Sequence, residues 1–291
     1  MNKKIMVVSF SGGRTSAYMA KWLLDNKSDE YDFHFVFSNT GLEHEKTLEF
    51  VDRCDREWEL DLVWLEAVTH KELRKGQTYK VVNFKTASRN GEPYKQLASI
   101  EGLPCVTRPI CSDRLKSNIL KKFRNGISKN AVSAIGIRVD EIDRMNPDFE
   151  KERIAYPLIS MRPTKKPEII NWFKENVFDL EISEHLGNCV TCWKKTDRKL
   201  MTIAKNSPEY FIPFQEIEKK YYNILSKEAG AVDGVDKQIF RKYRTCADII
   251  ELSKSSFVEW VDIKYEEQLE LFGSGNPLDQ HSGCEESCEG F

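Results

Sequence analysis

The stretch from Lys4 to Met19 reads KIMVVSFSGGRTSAYM, an apolar run followed at once by small polar residues, two glycines and an arginine. Ile5, Val7 and Val8 are β-branched, and the run as far as Phe10 lacks strict alternation, which predicts a strand covered on both faces of a parallel sheet. Past the glycines, Tyr18, Met19, Trp22 and Leu23 recur at helical spacing. The glycine turn therefore sits at a helix N-terminus, where backbone N–H groups lack intrahelical partners and a concave run of them suits an anion, phosphate above all. Ser11, Gly12, Gly13, Arg14, Thr15 and Ser16 are the candidate contacts. SGGRTS has neither the lysine and glycine spacing of a Walker A loop nor the three spaced glycines of a dinucleotide fingerprint. Taken alone, the same residues also make an ordinary tight connection capped by Ser11 or Thr15, so the other segments decide.

The chain has 291 residues, 40% hydrophobic and 31% charged. That is room for one large α/β domain with an appendage or for two modest domains. A formal net charge of −2 exerts no global pull toward nucleic acid or membrane, although Lys116 to Lys129 and the KKTDRK cluster from Lys194 are locally basic. No apolar stretch reaches membrane-spanning length, and the N-terminus enters the first strand without signal-peptide architecture, so a cytoplasmic protein is expected. Its eight cysteines then point to metal or redox chemistry rather than to a disulfide framework.

FHFVFSNTG from Phe33 is a second buried run ending in a polar turn, and the following helix carries Leu48, Val51, Cys54 and Trp58 on one face. DLVWLEA from Asp61 supplies a third strand and NAVSAIGIRV from Asn130 a fourth. Strands alternating with helices predict a parallel sheet with helices on both faces, a Rossmann-like α/β class, and ligands in such sheets bind at the carboxyl ends of the strands. SGGRTS, NTG and GIRVDE all fall there. Gly76 to Pro109, polar with few periodic apolar residues, is expected to form a long loop or lid. Beyond Tyr156 the pattern turns helical, with Thr164 a candidate cap, so the expected division is a nucleotide-binding α/β domain over 1–163 and a mainly helical region with a cysteine-bearing tail over 164–291.

Arg14, Arg108, Arg114, Lys116 and Arg138 lie on loops or helix starts that should face the strand ends, where guanidinium forks bind phosphate or sulfate oxygens. Arg138 follows its strand directly. Cys189-x-x-Cys192 and Cys284-x-x-x-Cys288 are two tight pairs, and four thiolates suit tetrahedral zinc or an iron–sulfur cluster equally. Cys105 and Cys111 could take the place of the tail pair. Cys54 and Cys246 read as core thiols.

SFSGGRTSA, NTGLEHEKT, CSDRLK, GIRVDEIDR, YPLI and GNCVTCWKK follow one another in an order that resembles the PAPS-reductase-like branch of the PP-loop ATP pyrophosphatases, especially versions found in phage and mobile elements. The resemblance runs from Val7 to about Lys199. It implies an adenine nucleotide, ATP or PAPS/APS, held by Ser11 to Ser16 as the PP-loop, by Asn39, Thr40 and Gly41 as a second turn, and by a third turn from Gly136 to Glu141 that includes Arg138. It also tilts the metal toward iron–sulfur. Two departures stand out: Thr15 occupies a position where many ATP-cleaving members place a magnesium-contacting Asp, leaving Asp140 and Glu141 as oxygen donors, and the tail GCEESCEGF differs from the Glu-Cys-Gly-Leu-His tail of true PAPS reductases. The function so implied is PAPS or APS reduction, or nucleotide-activated thiolation with nucleic acid or a protein sulfur donor as partner. No catalytic residue is assigned, and a homo-oligomer is left open. The alternative is a nucleotide-binding module without turnover, stapled by structural zinc.

Overall fold

The computed structural model describes residues 3–72, 75–106, 108–221, 240–241 and 243–262. Cys284 and Cys288 lie outside the described residues. Strands β1 (Lys4–Phe10), β2 (Tyr31–Asn39), β3 (Val63–Thr69), β4 (Gln77–Val82), β5 (Val132–Ala134) and β6 (Ile154–Ala155) form one sheet in the order β4-β3-β2-β1-β5-β6. All neighbours are parallel except β4, which runs antiparallel to β3 at the edge. The expected α/β class, with helices on both faces and a helical C-terminal region, is what the chain adopts.

The central strands alternate between two cores. Val7, Val36 and Leu65 point to one face, and Met6, Val8, Phe10, Phe35, Phe37 and Trp64 to the other. Helices α1 (Arg14–Lys27) and α2 (Glu45–Trp58) cover the second face. The first is covered by α3 (Glu92–Glu101) and by α4 (Asn118–Ile127), which a π-helical turn at Asp113–Ser117 leads into. Two four-residue turns, α5 (Phe149–Glu152) and α6 (Pro157–Ser160), flank β6. Helix α7 (Lys166–Glu175) then returns to α1, burying Ile169 and Phe173 with Met19 and Leu23. Helices α8 (Asp197–Asn206), α9 (Ile212–Tyr221) and α10 (Cys246–Leu252) add Leu200, Phe214 and Ile249 to the core of α3 and α4. Each such fully buried side chain contributes about 1.5–3 kcal/mol.

The segment from Gly76 to Pro109 corrects the expectation of a long loop, because it contains β4 and α3. Its apolar residues are few but well spaced: Tyr94, Leu97 and Ala98 fall three and four apart and are buried. Thr164 does not cap α7. It is wholly buried, and its hydroxyl donates to the Arg162 carbonyl, while Lys165 takes the N-cap position.

Candidate functional site

Three turns leave the carboxyl ends of β1, β2 and β5 side by side, because Phe10 pairs with Phe37 and Val8 with Ala134. In the first turn, Ser16 Oγ accepts hydrogen bonds from Ser11 N at 3.0 Å and Ser11 Oγ at 2.9 Å and donates to the Gly13 carbonyl at 2.9 Å. One hydroxyl thus closes the turn on itself. Gly12 adopts φ +87°, and a Cβ there would stand 2.8 Å from Thr47 Cγ2. Gly13 is the N-cap of α1, with no side-chain cap and no acidic residue in the first turn. The helix start keeps its positive end uncompensated, the state that favours an anion.

Arg14 pairs with a carboxylate far along the chain. Its Nε and Nη2 bind the two Asp179 carboxylate oxygens at 2.6 and 3.0 Å, and Nη2 also donates to the Leu180 carbonyl. Arg138, 3% exposed, donates from Nη1 to Thr15 Oγ1 at 3.0 Å and is flanked by Asp140 at 3.1 Å and Glu141 at 3.2 Å. Gly136 is buried behind it. The third turn is therefore attached to the first through the Thr15 hydroxyl.

The second turn is organised by two carboxylates. Glu43 accepts from Thr40 N at 3.0 Å, Thr40 Oγ1 at 2.8 Å and Leu42 N at 3.1 Å, and Lys116 Nζ stands 3.8 Å from it. Asn39, fully buried, donates to Glu66 Oε1 at 2.7 Å and to the Ser88 carbonyl at 2.9 Å, while its own oxygen accepts from Gly41 N. Gly41 adopts φ +79° and its carbonyl accepts from Gly91 N at 2.8 Å; a Cβ on Gly41 would meet Ser88 Oγ at 2.4 Å.

Cysteine chemistry adjoins this second turn. Glu43 and Cys189 form a β-bridge, Val190 N donates to the Leu42 carbonyl, and Cys189 Sγ lies 3.2 Å from Thr40 Oγ1. Burial, reinforced by the Glu43 carboxylate, pushes the Cys189 thiol well above its ordinary range. Burial also raises the Tyr94 hydroxyl, helped by the nearby thiols of Cys111, Cys192, Cys189 and Cys105. That hydroxyl donates to the Pro104 carbonyl at 3.0 Å. Among the described residues, no three His, Cys, Asp or Glu side chains are placed to hold a metal ion together.

Of the other cations, Lys116 joins the second turn, whereas Arg114 pairs with Glu101 at 3.0 Å and with Asp113. Arg108 is bridged through its backbone to Cys105. Glu43, Glu66, Tyr94 and Asp179 were absent from the sequence expectations. Only Glu66 carried a signal, a lone charge inside the apolar strand VWLEAV.

A mostly parallel sheet covered on both faces, with a glycine turn at a helix start and two further turns at the strand ends, defines a Rossmann-like α/β protein. The chain belongs to the phosphoadenosine phosphosulfate reductase domain family, whose profile matches residues 5–186. It is 36% identical over 219 residues to the uncharacterized nin region protein ORF290 of Escherichia phage lambda, a match spanning 73% of this chain and 74% of that protein. No helix among the described residues is long and apolar enough to cross a membrane.

Proposed function

We propose that the protein is an adenine-nucleotide-dependent enzyme of sulfur reduction or sulfur transfer. The nucleotide's phosphate or sulfonate group would lie on Ser11–Ser16, between the turns at Asn39–Gly41 and Gly136–Glu141. The observation that carries the sulfur half is the 3.2 Å contact between Cys189 Sγ and Thr40 Oγ1, which sets a thiol against the second turn of the nucleotide cradle. Lys116, also at that turn, is the cation best placed for an anionic group there.

Tetrahedral zinc or an iron–sulfur cluster needs four thiolates, of which Cys189 and Cys192 would supply two and either Cys284 and Cys288 or Cys105 and Cys111 the others. A cluster there would supply electrons beside the nucleotide, whereas zinc would staple the turn. For this chain's own residues, Thr40 orients Cys189 and Glu43 holds Thr40 in place.

Anaerobically purified protein incubated with PAPS, APS or ATP tests the reading. Sulfite release from PAPS or APS supports reduction, and pyrophosphate release from ATP supports activation for thiolation. Nucleotide binding without any product supports the module without turnover. Metal analysis of Cys105→Ser/Cys111→Ser against Cys284→Ser/Cys288→Ser then assigns the second ligand pair: whichever double variant loses the metal contains it.

A further inference from the structure

Glu66 is a fully buried carboxylate in the middle of β3, the cross-strand partner of Asn39 on β2. An ionised carboxylate removed from water needs several partners to be tolerated. Glu66 has them from three directions. Asn39 Nδ2 and the Ser88 backbone N–H both donate to Oε1, and Lys80 Nζ, on the antiparallel edge strand, stands 2.9 Å from Oε2. The Lys80 side chain is itself 55% exposed. Asn39 bonds in turn to the Ser88 carbonyl and to Gly41 N, so one carboxylate ties the end of β2, the segment after β4 and the start of the second turn into a single ring.

We propose that Glu66 is the positioning residue of the second turn: its charge, balanced by Lys80 from the sheet edge, sets where the main chain of Thr40 to Leu42 stands beside the phosphate loop. The consequence for ligand affinity rests on the nucleotide reading given above, but the effect on the turn does not. A glutamine at this position retains the acceptor for Asn39 and Ser88 and turns an amide N–H₂ toward the Lys80 ammonium, placing donor against donor. A methionine at position 80 leaves the carboxylate buried without its cation. Changing both removes the conflict, so the double variant should recover part of what each single variant loses.

Amide hydrogen exchange and nucleotide calorimetry on the full chain test this with Glu66→Gln, Lys80→Met and the double variant. Exchange at Thr40, Gly41 and Leu42 should rise about fivefold in each single variant, the scale of one half-exposed ion pair, with β1 and β2 protected as before and with partial recovery in the double variant. Affinity for PAPS or ATP should fall by a similar factor. Lys80→Met, altered at the surface, carries the test if Glu66→Gln does not fold. Uniformly faster exchange along the chain, or no recovery in the double variant, would mean a merely structural role and overturn the proposal. If the turn responds while the unaltered protein binds no adenine nucleotide, the positioning role stands and the nucleotide reading falls.

Discussion

Arg138 Nη1 donates a hydrogen bond to Thr15 Oγ1 at 3.0 Å, so the third turn is tied to the glycine loop across the paired strands β1 and β5. The same guanidinium balances Asp140 and the buried Glu141. Arg138→Met should therefore cost about 3 kcal/mol of stability, because it strips a buried carboxylate of one of its two arginines, whereas Thr15→Val should cost about 1 kcal/mol. Urea unfolding of both variants and the double variant measures the coupling, and strictly additive losses would show that the bond contributes nothing.

Gly12 combines a left-handed φ with a neighbour 2.8 Å from where its Cβ would stand. Gly12→Ala should destabilise the protein by about 1–3 kcal/mol. Thr47→Ser removes the obstructing methyl, so adding it should return the steric part of the loss and leave the backbone part. Chemical denaturation of the two variants separates the contributions.

His44 caps α2 by accepting the Lys46 backbone N–H on Nδ1, and burial, followed by the Lys46 charge, lowers its pKa from the ordinary 6.5. The unfolded chain then binds a proton at higher pH than the folded one. The stability conferred by neutral His44 is fully present above pH 6.5 and is lost as the pH falls through the lower folded value. Melting temperature should decline from pH 7.5 to 5.5 on this account, at about the unfolded histidine pKa and below. His44→Asn keeps a capping side chain that does not titrate, so its decline should be shallower; an identical slope would remove His44 from the explanation.

Cys54 and Cys246 are fully buried, and burial drives both thiols far above their ordinary range. Iodoacetamide should modify neither in the native protein, while the half-buried Cys111 reacts. Mass spectrometry after timed quenching reports the order, and native-state labelling of Cys54 at the rate of a small thiol would contradict it.

The frame of the molecule was legible in its residues because the strands covered on both faces announce themselves as apolar runs, and each run from Phe10, Asn39 and Ile135 ends in a polar turn. What escaped was β4 and α3, where half-exposed positions dilute the pattern to a few apolar residues among polar ones. The candidate site divides the same way. Ser16, Asn39 and Arg138 lie on the turns at the strand ends, but a basic side chain near a strand end does not reveal which acid will pair with it: Arg14 pairs with Asp179 and Arg114 with Glu101. Such pairings depend on chain paths far apart in sequence.

The pairing of Arg14 with Asp179 joins positions 165 residues apart. During synthesis at about 5–20 residues per second, the arginine emerges with the first strand and waits about 8–33 s for its carboxylate. Over that interval β1, the glycine turn and α1 emerge with β2 and α2, while residues 176–182 are still to be made. The nascent chain thus carries Arg14 before its own Asp179 has left the ribosome. Translation that stops short of residue 179 releases a fragment with the glycine loop and Arg14 but without Asp179, the carboxylate that pairs with it.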